Sequence, residues 1–129
     1  MRIDQQLSEK WIKPGSSVLD LGCGDGELLS QMSKKHQIQA YGLEIAQEKI
    51  AIAVSRGLNI IQQDLNLGLG RFADQSFDYV VMAQALQAVD APDGLLRDMV
   101  RVGKQAIITF PNFAYWKTRS FLALKGKMP

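Results

Sequence analysis

The stretch Val18-Leu19-Asp20-Leu21-Gly22-Cys23-Gly24-Asp25-Gly26-Glu27 decides how the rest of the chain is read. Its first four residues form a short aliphatic run, entered through the turn pair Pro14-Gly15 and left through three alternating glycines. Behind the glycines, Glu27 to His36 carries helix formers, with Leu28, Leu29 and Met32 spaced to share one face. A strand that runs through a glycine loop into a helix places that loop at the carboxyl edge of a sheet, where open α/β folds bind ligands. Gly22, Gly24 and Gly26 remove side chains, so a ligand can approach the backbone and the chain can adopt dihedrals closed to other residues. The spacing is G-x-G-x-G, not the G-x-G-x-x-G of dinucleotide sites, and no Lys-Ser/Thr pair follows, which excludes a P-loop. Asp20, Asp25 and Glu27 flank the loop and suit a cationic ligand better than a pyrophosphate.

Strands and helices continue to alternate on the carboxyl side. Ile38 to Leu43 is predicted as a second strand, and Ala46 to Arg56 as a helix burying Ile50, Ala51 and Val54, with Gly57 at its C′ position. Leu58 to Ile61 and Phe77 to Ala83 read as strands three and four. Pro92 opens a helix carrying Leu95, Leu96, Met99 and Val100, Gly103 closes it, and Gln105 to Phe110 makes strand five. On the amino side, Asp4 to Lys13 leaves room for one short helix. Continuous apolar strands alternating with helices imply an α/β domain with a doubly wound, mostly parallel sheet over residues 1–129. The tail, residues 113–129, interleaves Phe113, Trp116, Phe121, Leu122 and Leu124 with Lys117 and Arg119, the pattern of an amphipathic basic helix. If strand five were the last, its edge would stand unpaired. The tail covers it, a partner covers it (a homodimer being the simplest case), or the chain is the front piece of a longer protein.

Composition narrows the classes. Among 129 residues, 47% are apolar and 22% charged, as in an ordinary globular domain. The single cysteine, Cys23, excludes an internal disulfide and a Cys-cluster zinc site, and no metal is expected. No apolar run approaches a membrane span, and the start Met-Arg-Ile-Asp-Gln-Gln lacks a signal-peptide core, so a cytoplasmic protein is expected. The net charge of +2 hides an asymmetry: residues 99–129 hold six basic side chains and no acid. Such a density is modest, and a solvated face accounts for it better than nucleic acid does.

Two further acids join the glycine loop. Glu44 ends strand two, twenty residues after Gly24, where a carboxylate can accept from both ribose hydroxyls of a nucleoside. It would equally serve beside a helix N-cap. Asp64 follows strand three, where it could accept from an exocyclic amine, with Leu65 offering a backbone N–H and an apolar wall; turn chemistry is the alternative. Asp20 lies inside an apolar strand, and an unpaired buried carboxylate is costly, so loop N–H groups or a ligand ammonium are its expected partners. Cys23, with no histidine near it in sequence, reads as a small packing residue.

These residues resemble the class I S-adenosylmethionine (SAM) methyltransferases, whose first motif reads much as Leu19 to Gly26 does here. More narrowly, Met-Arg-Ile-Asp at the start, Asp-Leu-Gly-Cys-Gly-Asp-Gly-Glu-Leu-Leu, Tyr-Gly-Leu-Glu-Ile, Gln-Gln-Asp-Leu, Ser-Phe-Asp-Tyr-Val and Phe110-Pro111-Asn112-Phe113 are similar to the bacterial MetW family of methionine biosynthesis. The resemblance implies a Rossmann-like fold and SAM, or S-adenosylhomocysteine, as the cofactor. It also implies roles. Gly22, Gly24 and Gly26 approach the methionine part, Asp20 helps hold its amino group, and Ala83-Gln84 lie near it. Glu44, with Ile45 beside it, binds the ribose, and Asp64 with Leu65 binds the adenine. That family is somewhat longer, so the chain looks C-terminally truncated. Its members support homoserine O-acetyltransferase, which makes that enzyme the expected partner. Two functions follow: a SAM-binding accessory of that acyltransferase, or an active methyltransferase with an unidentified acceptor. Methyl transfer is an in-line displacement that needs positioning more than acid–base groups, so the lack of an obvious catalytic residue does not decide between them.

Overall fold

The computed structural model describes residues 12–83, 92–111 and 119–125. The predicted helix ahead of the first strand falls almost wholly outside these residues, as do Gln84 and Phe113 to Thr118. Six strands form one sheet in the order β3-β2-β1-β4-β5-β6. They are β1 (Ser17–Leu21), β2 (Gln39–Glu44), β3 (Asn59–Gln62), β4 (Phe77–Ala83), β5 (Gly103–Pro111) and β6 (Arg119–Lys125). The helices are α1 (Glu27–His36), α2 (Gln47–Ser55) and α3 (Pro92–Val102). Strands β1 to β5 pair in parallel, and only β6 is antiparallel. The doubly wound, mostly parallel sheet expected from the alternation is the fold observed.

Side chains of successive strand residues point to opposite faces, so each strand feeds two cores. Val18, Tyr79, Val81 and Ile107 pack with Leu29, Met32 and Ala53 of α1 and α2. Leu19, Leu21, Val80 and Ile108 pack with Leu95, Met99 and Val102 of α3 and with Leu69 from the β3–β4 loop. The winding therefore reverses between β1 and β4, whose register sets Asp20 opposite Val81. At such a reversal the two crossovers of an open α/β sheet diverge at the carboxyl edge, the edge at which β1 runs into the glycine loop.

Two expectations need correction. The tail is not a helix where it is described. Arg119–Lys125 runs antiparallel along β5, with Ile107 opposite Ala123 and Pro111 opposite Arg119. The physical reason is the row of unpaired N–H and C=O groups on β5, which a helix would not satisfy and a strand does. The bare edge that suggested a homodimer is thus occupied by the chain itself. The buried face of α2 also differs. Ala53 is fully buried, Ile50 is half-buried, Ala51 is exposed, and Val54 is 52% exposed. Ala53 turns inward because only a small side chain fits where α2 meets the glycine loop at Gly26.

At the opposite edge of the sheet, Asp78 joins β4 to β1. Its Oδ2 accepts from the Ser17 backbone N–H (2.9 Å) and hydroxyl (3.2 Å), and Lys104 Nζ lies 3.3 Å from Oδ1. The Ser17 N–H, followed by Lys104, holds the Asp78 carboxyl below its ordinary pKa. A depressed carboxylate contributes stability that is present above the ordinary carboxylate range and lost as pH falls through its folded value. Urea denaturation across that range should show a decline toward acid that Asp78→Ala flattens, at a cost of about 1 kcal/mol near neutral pH. An unchanged acid limb in the variant would remove Asp78 from this role.

Candidate functional site

The glycine loop is built by backbone hydrogen bonds before any ligand is considered. The Cys23 N–H donates to the Leu43 carbonyl (2.9 Å) and the Gly26 N–H to the Cys23 carbonyl (3.1 Å). Gly22, Gly24 and Gly26 have φ of 69°, 60° and 82°, the left-handed region that favours glycine. Their vacant sides differ. A Cβ on Gly24 would meet no atom within 4 Å, so its missing side chain opens onto free space. A Cβ on Gly26 would stand 2.5 Å from Leu58 Cδ1 and 3.1 Å from Ala53 Cβ. Gly26 therefore makes room for Leu58, just ahead of β3, and for Ala53 of α2.

Glu44 lies at the centre. Its Oε1 accepts from the Gly24 N–H (2.8 Å), while Oε2 accepts from the N–H groups of Ile45 and Ala46 (both 3.0 Å). The two readings left open by the sequence are both present in part. The carboxylate braces the start of α2, and it also sits at the lip of the space that Gly24 opens. An ionised carboxylate offers about four lone-pair sites, so acceptor capacity remains for a hydroxyl.

Asp20 is 2% exposed, and no hydrogen bond from a described residue reaches its carboxylate. Burial first, and the negative charge of Glu44 second, push its pKa up to about 7. This acid is not satisfied by the loop N–H groups that were one of its expected partners. Asp25, by contrast, is engaged within the protein: its Oδ1 accepts from the Glu27 N–H (3.0 Å), and Arg56 reaches its carbonyl (3.1 Å). Cys23 fills the space above Gly42, where a Cβ would come within 2.6 Å of its Sγ. Burial, then Asp20 and Glu44, raise the thiol to about 12, which keeps it protonated and unreactive. The role of Gly42 was not read from the sequence, although a glycine inside a strand signals such close approach.

Asp64 caps the 3-10 turn Leu65–Leu67, its Oδ1 accepting from the Asn66 N–H (2.9 Å). It also lines a pocket of about 510 Å³ with Ile45, Gln63, Leu67, Gly68 and Arg71. Ile45 is 54% exposed and Leu67 78%, an apolar pair next to the Asp64 carboxylate. The structure thus brings Gly22, Gly24, Glu44, Ile45, Asp64 and Leu65 to the carboxyl edge of three neighbouring strands. Ala83 ends β4 at that same edge, and Gln84 lies outside the described residues. Gln63 and Arg71 were missed, because nothing in their spacing marks a loop that folds back over β3.

Strand order, the glycine loop after β1 and the acid that ends β2 define a Rossmann-like α/β protein of the class I SAM methyltransferase type. Solved structures agree. The [4+2]-cyclase SpnF superposes with a TM-score of 0.74 at 27% identity, over 84% of this chain and 43% of that one. A SAM-dependent methyltransferase from Aquifex aeolicus superposes with a TM-score of 0.68 at 25% identity, over 82% of this chain and 62% of that one. Within this class, the chain belongs to the MetW family: the family profile described as methionine biosynthesis protein MetW matches residues 2–129. The bifunctional methionine biosynthesis protein MetXA/MetW of Rhodopirellula baltica is 42% identical over 137 residues, covering 100% of this chain and 22% of that protein. The chain therefore spans about a fifth of that relative and less than half of SpnF. Among the described residues, no helix is long and apolar enough to cross a membrane.

A buried acid whose folded pKa is raised favours its protonated form in the native state, so stability falls as pH rises from the unfolded value through the folded one. For Asp20 that window runs from 3.8 to about 7. Asp20→Asn should therefore match the parent near pH 4 and exceed it above pH 7, by on the order of 4 kcal/mol at most. Urea melts at the two pH values check this, and a variant less stable than the parent above pH 7 contradicts it.

Proposed function

We propose that this protein binds SAM or S-adenosylhomocysteine at the carboxyl edge of β1, β2 and β3. In this reading it serves methionine biosynthesis as an accessory of homoserine O-acetyltransferase. The observation that carries the binding reading is the Glu44 carboxylate, bonded to Gly24 at a loop position whose missing side chain faces empty space. The residues present fit the group. Gly24 provides a cradle that a Cβ would fill. Asp20 is a buried acid under the loop, and a ligand ammonium would be a partner for its ionised form. Glu44 suits the ribose hydroxyls, with Ile45, Asp64 and Leu65 lining the place for the base. Bound SAM would supply an electrophilic methyl group, and the chain's own residues bind and orient it.

Support for the partner is the Rhodopirellula baltica protein, in which segments named MetXA and MetW belong to one bifunctional protein. A second reading, methyl transfer to an unidentified acceptor, is favoured by the likeness to the Aquifex aeolicus methyltransferase. The fold does not choose between them, since SpnF carries it and is described as a cyclase.

Calorimetry with both ligands tests the site. The parent should bind, Gly24→Val should not, and Glu44→Ala should lose about 1–3 kcal/mol through its charged hydrogen bonds. Equal affinity in all three proteins would mean that the site is misplaced. Co-purification with homoserine O-acetyltransferase that changes with added SAM supports the accessory role. Label passing from methyl-labelled SAM to a metabolite or macromolecule in a cell extract, without that association, would replace it with the enzymatic one.

A further inference from the structure

The pocket beside Ile45 and Asp64 has its second wall in residues 67–71 of the β3–β4 loop, and that wall is gripped from behind. Leu69 is fully buried between Gly68 and Gly70, which both face the pocket. Its N–H donates to Asp98 Oδ2 (2.8 Å), and its carbonyl accepts from Arg101 Nη2 (2.9 Å). Arg101 Nη1 donates to the Phe72 carbonyl (2.9 Å) and to Asp74 Oδ1 (2.8 Å). Its Nε lies 3.6 Å from Asp98 Oδ1, one turn away on α3. Gln75 closes the loop: its N–H donates to the Arg101 carbonyl (2.8 Å), and its Nε2 to the carbonyls of Arg101 and Gly103 (both 3.3 Å). Gly68 has φ +75° and approaches α3 so closely that a Cβ would stand 2.9 Å from Asp98 Oδ2.

We propose that Asp98 and Arg101 are positioning residues for the adenosine end of the site: from α3 they clamp the β3–β4 loop, so that its pocket wall stands in place against Ile45 and Asp64. The proposal rests on the nucleoside reading above. An exposed ion pair alone would contribute little. Here the planar guanidinium reaches two backbone carbonyls and a carboxylate at once, a set that the single point charge of a lysine cannot span. Without the clamp, a wall flanked by two glycines would have to be ordered by the ligand, and the ordering cost would appear as lost affinity.

Arg101→Ala, Arg101→Lys and Asp98→Asn, each in the full chain, are compared with the parent by calorimetry with S-adenosylhomocysteine and with adenosine alone. Limited trypsin digestion after the exposed Arg71 reports on the loop itself. Affinities for the two ligands should fall together by about tenfold, with faster cleavage after Arg71 and a retained cooperative thermal transition. Arg101→Lys should resemble Arg101→Ala more than the parent. Should Arg101→Ala fail to fold, the isosteric Asp98→Asn carries the same test. Parent-like adenosine affinity in folded variants overturns the proposal, whatever the digestion shows. A parent that binds neither ligand instead overturns the nucleoside reading, while cleavage after Arg71 still decides whether Asp98 and Arg101 hold the loop.

Discussion

One carboxylate accepts backbone N–H groups from two loops, and the site depends on that bridge. Glu44 ends β2 with its oxygens on Gly24 to one side and on Ile45 and Ala46 to the other. Those N–H groups belong to a glycine loop and to the start of α2. Hydrogen bonds to a charged acceptor are roughly twice as strong as neutral ones. The bridge therefore shapes the crevice before a ligand arrives, and it leaves a negative charge at the lip. Asp20 below it feels that charge, which together with burial favours its protonated form.

The parts legible in the sequence were those set by local chemistry. Alternating glycines after an aliphatic run specify positive φ and a loop at a strand end. Continuous apolar strands specify a sheet covered on both faces. Acids at the ends of β2 and β3 specify where hydrogen-bond acceptors collect. The parts that escaped depend on tertiary context. Residues 119–125 carry a helical spacing but pair with β5, because the edge of a sheet supplies more hydrogen bonds than periodicity can outweigh. Gly26 reads like its two neighbours, yet its vacant side is filled by Leu58 and Ala53, residues some thirty positions further along the chain. Ala51 and Val54 were expected inward by spacing alone, while Ala53 is buried because α2 approaches the glycine loop closely. Arg101 and Asp98 read as ordinary charges on a helix, since their partners lie about thirty residues away in a loop with no motif.

The architecture separates two tasks. The face carrying α1 and α2 builds the glycine loop and the Glu44 bridge, which in the proposed reading would address the amino-acid and ribose parts of a nucleoside ligand. The opposite face, through α3, holds the loop that would wall the base. Membership of the MetW family places this arrangement among methionine biosynthesis proteins, and the shared fold includes both a methyltransferase and a cyclase. Function therefore turns on what the crevice binds and what lies over it, more than on the sheet that carries it.

The most direct measurement is a two-dimensional amide NMR titration of the isotopically labelled chain with S-adenosylhomocysteine. The Gly24, Ile45 and Ala46 resonances report the three hydrogen bonds of Glu44, and Leu65 reports the region of the base. The account predicts saturable shifts that are largest at these amides and small at Ser17 and Asp78 on the opposite edge. Shifts that leave Gly24 and Ile45 untouched while other regions respond would contradict it.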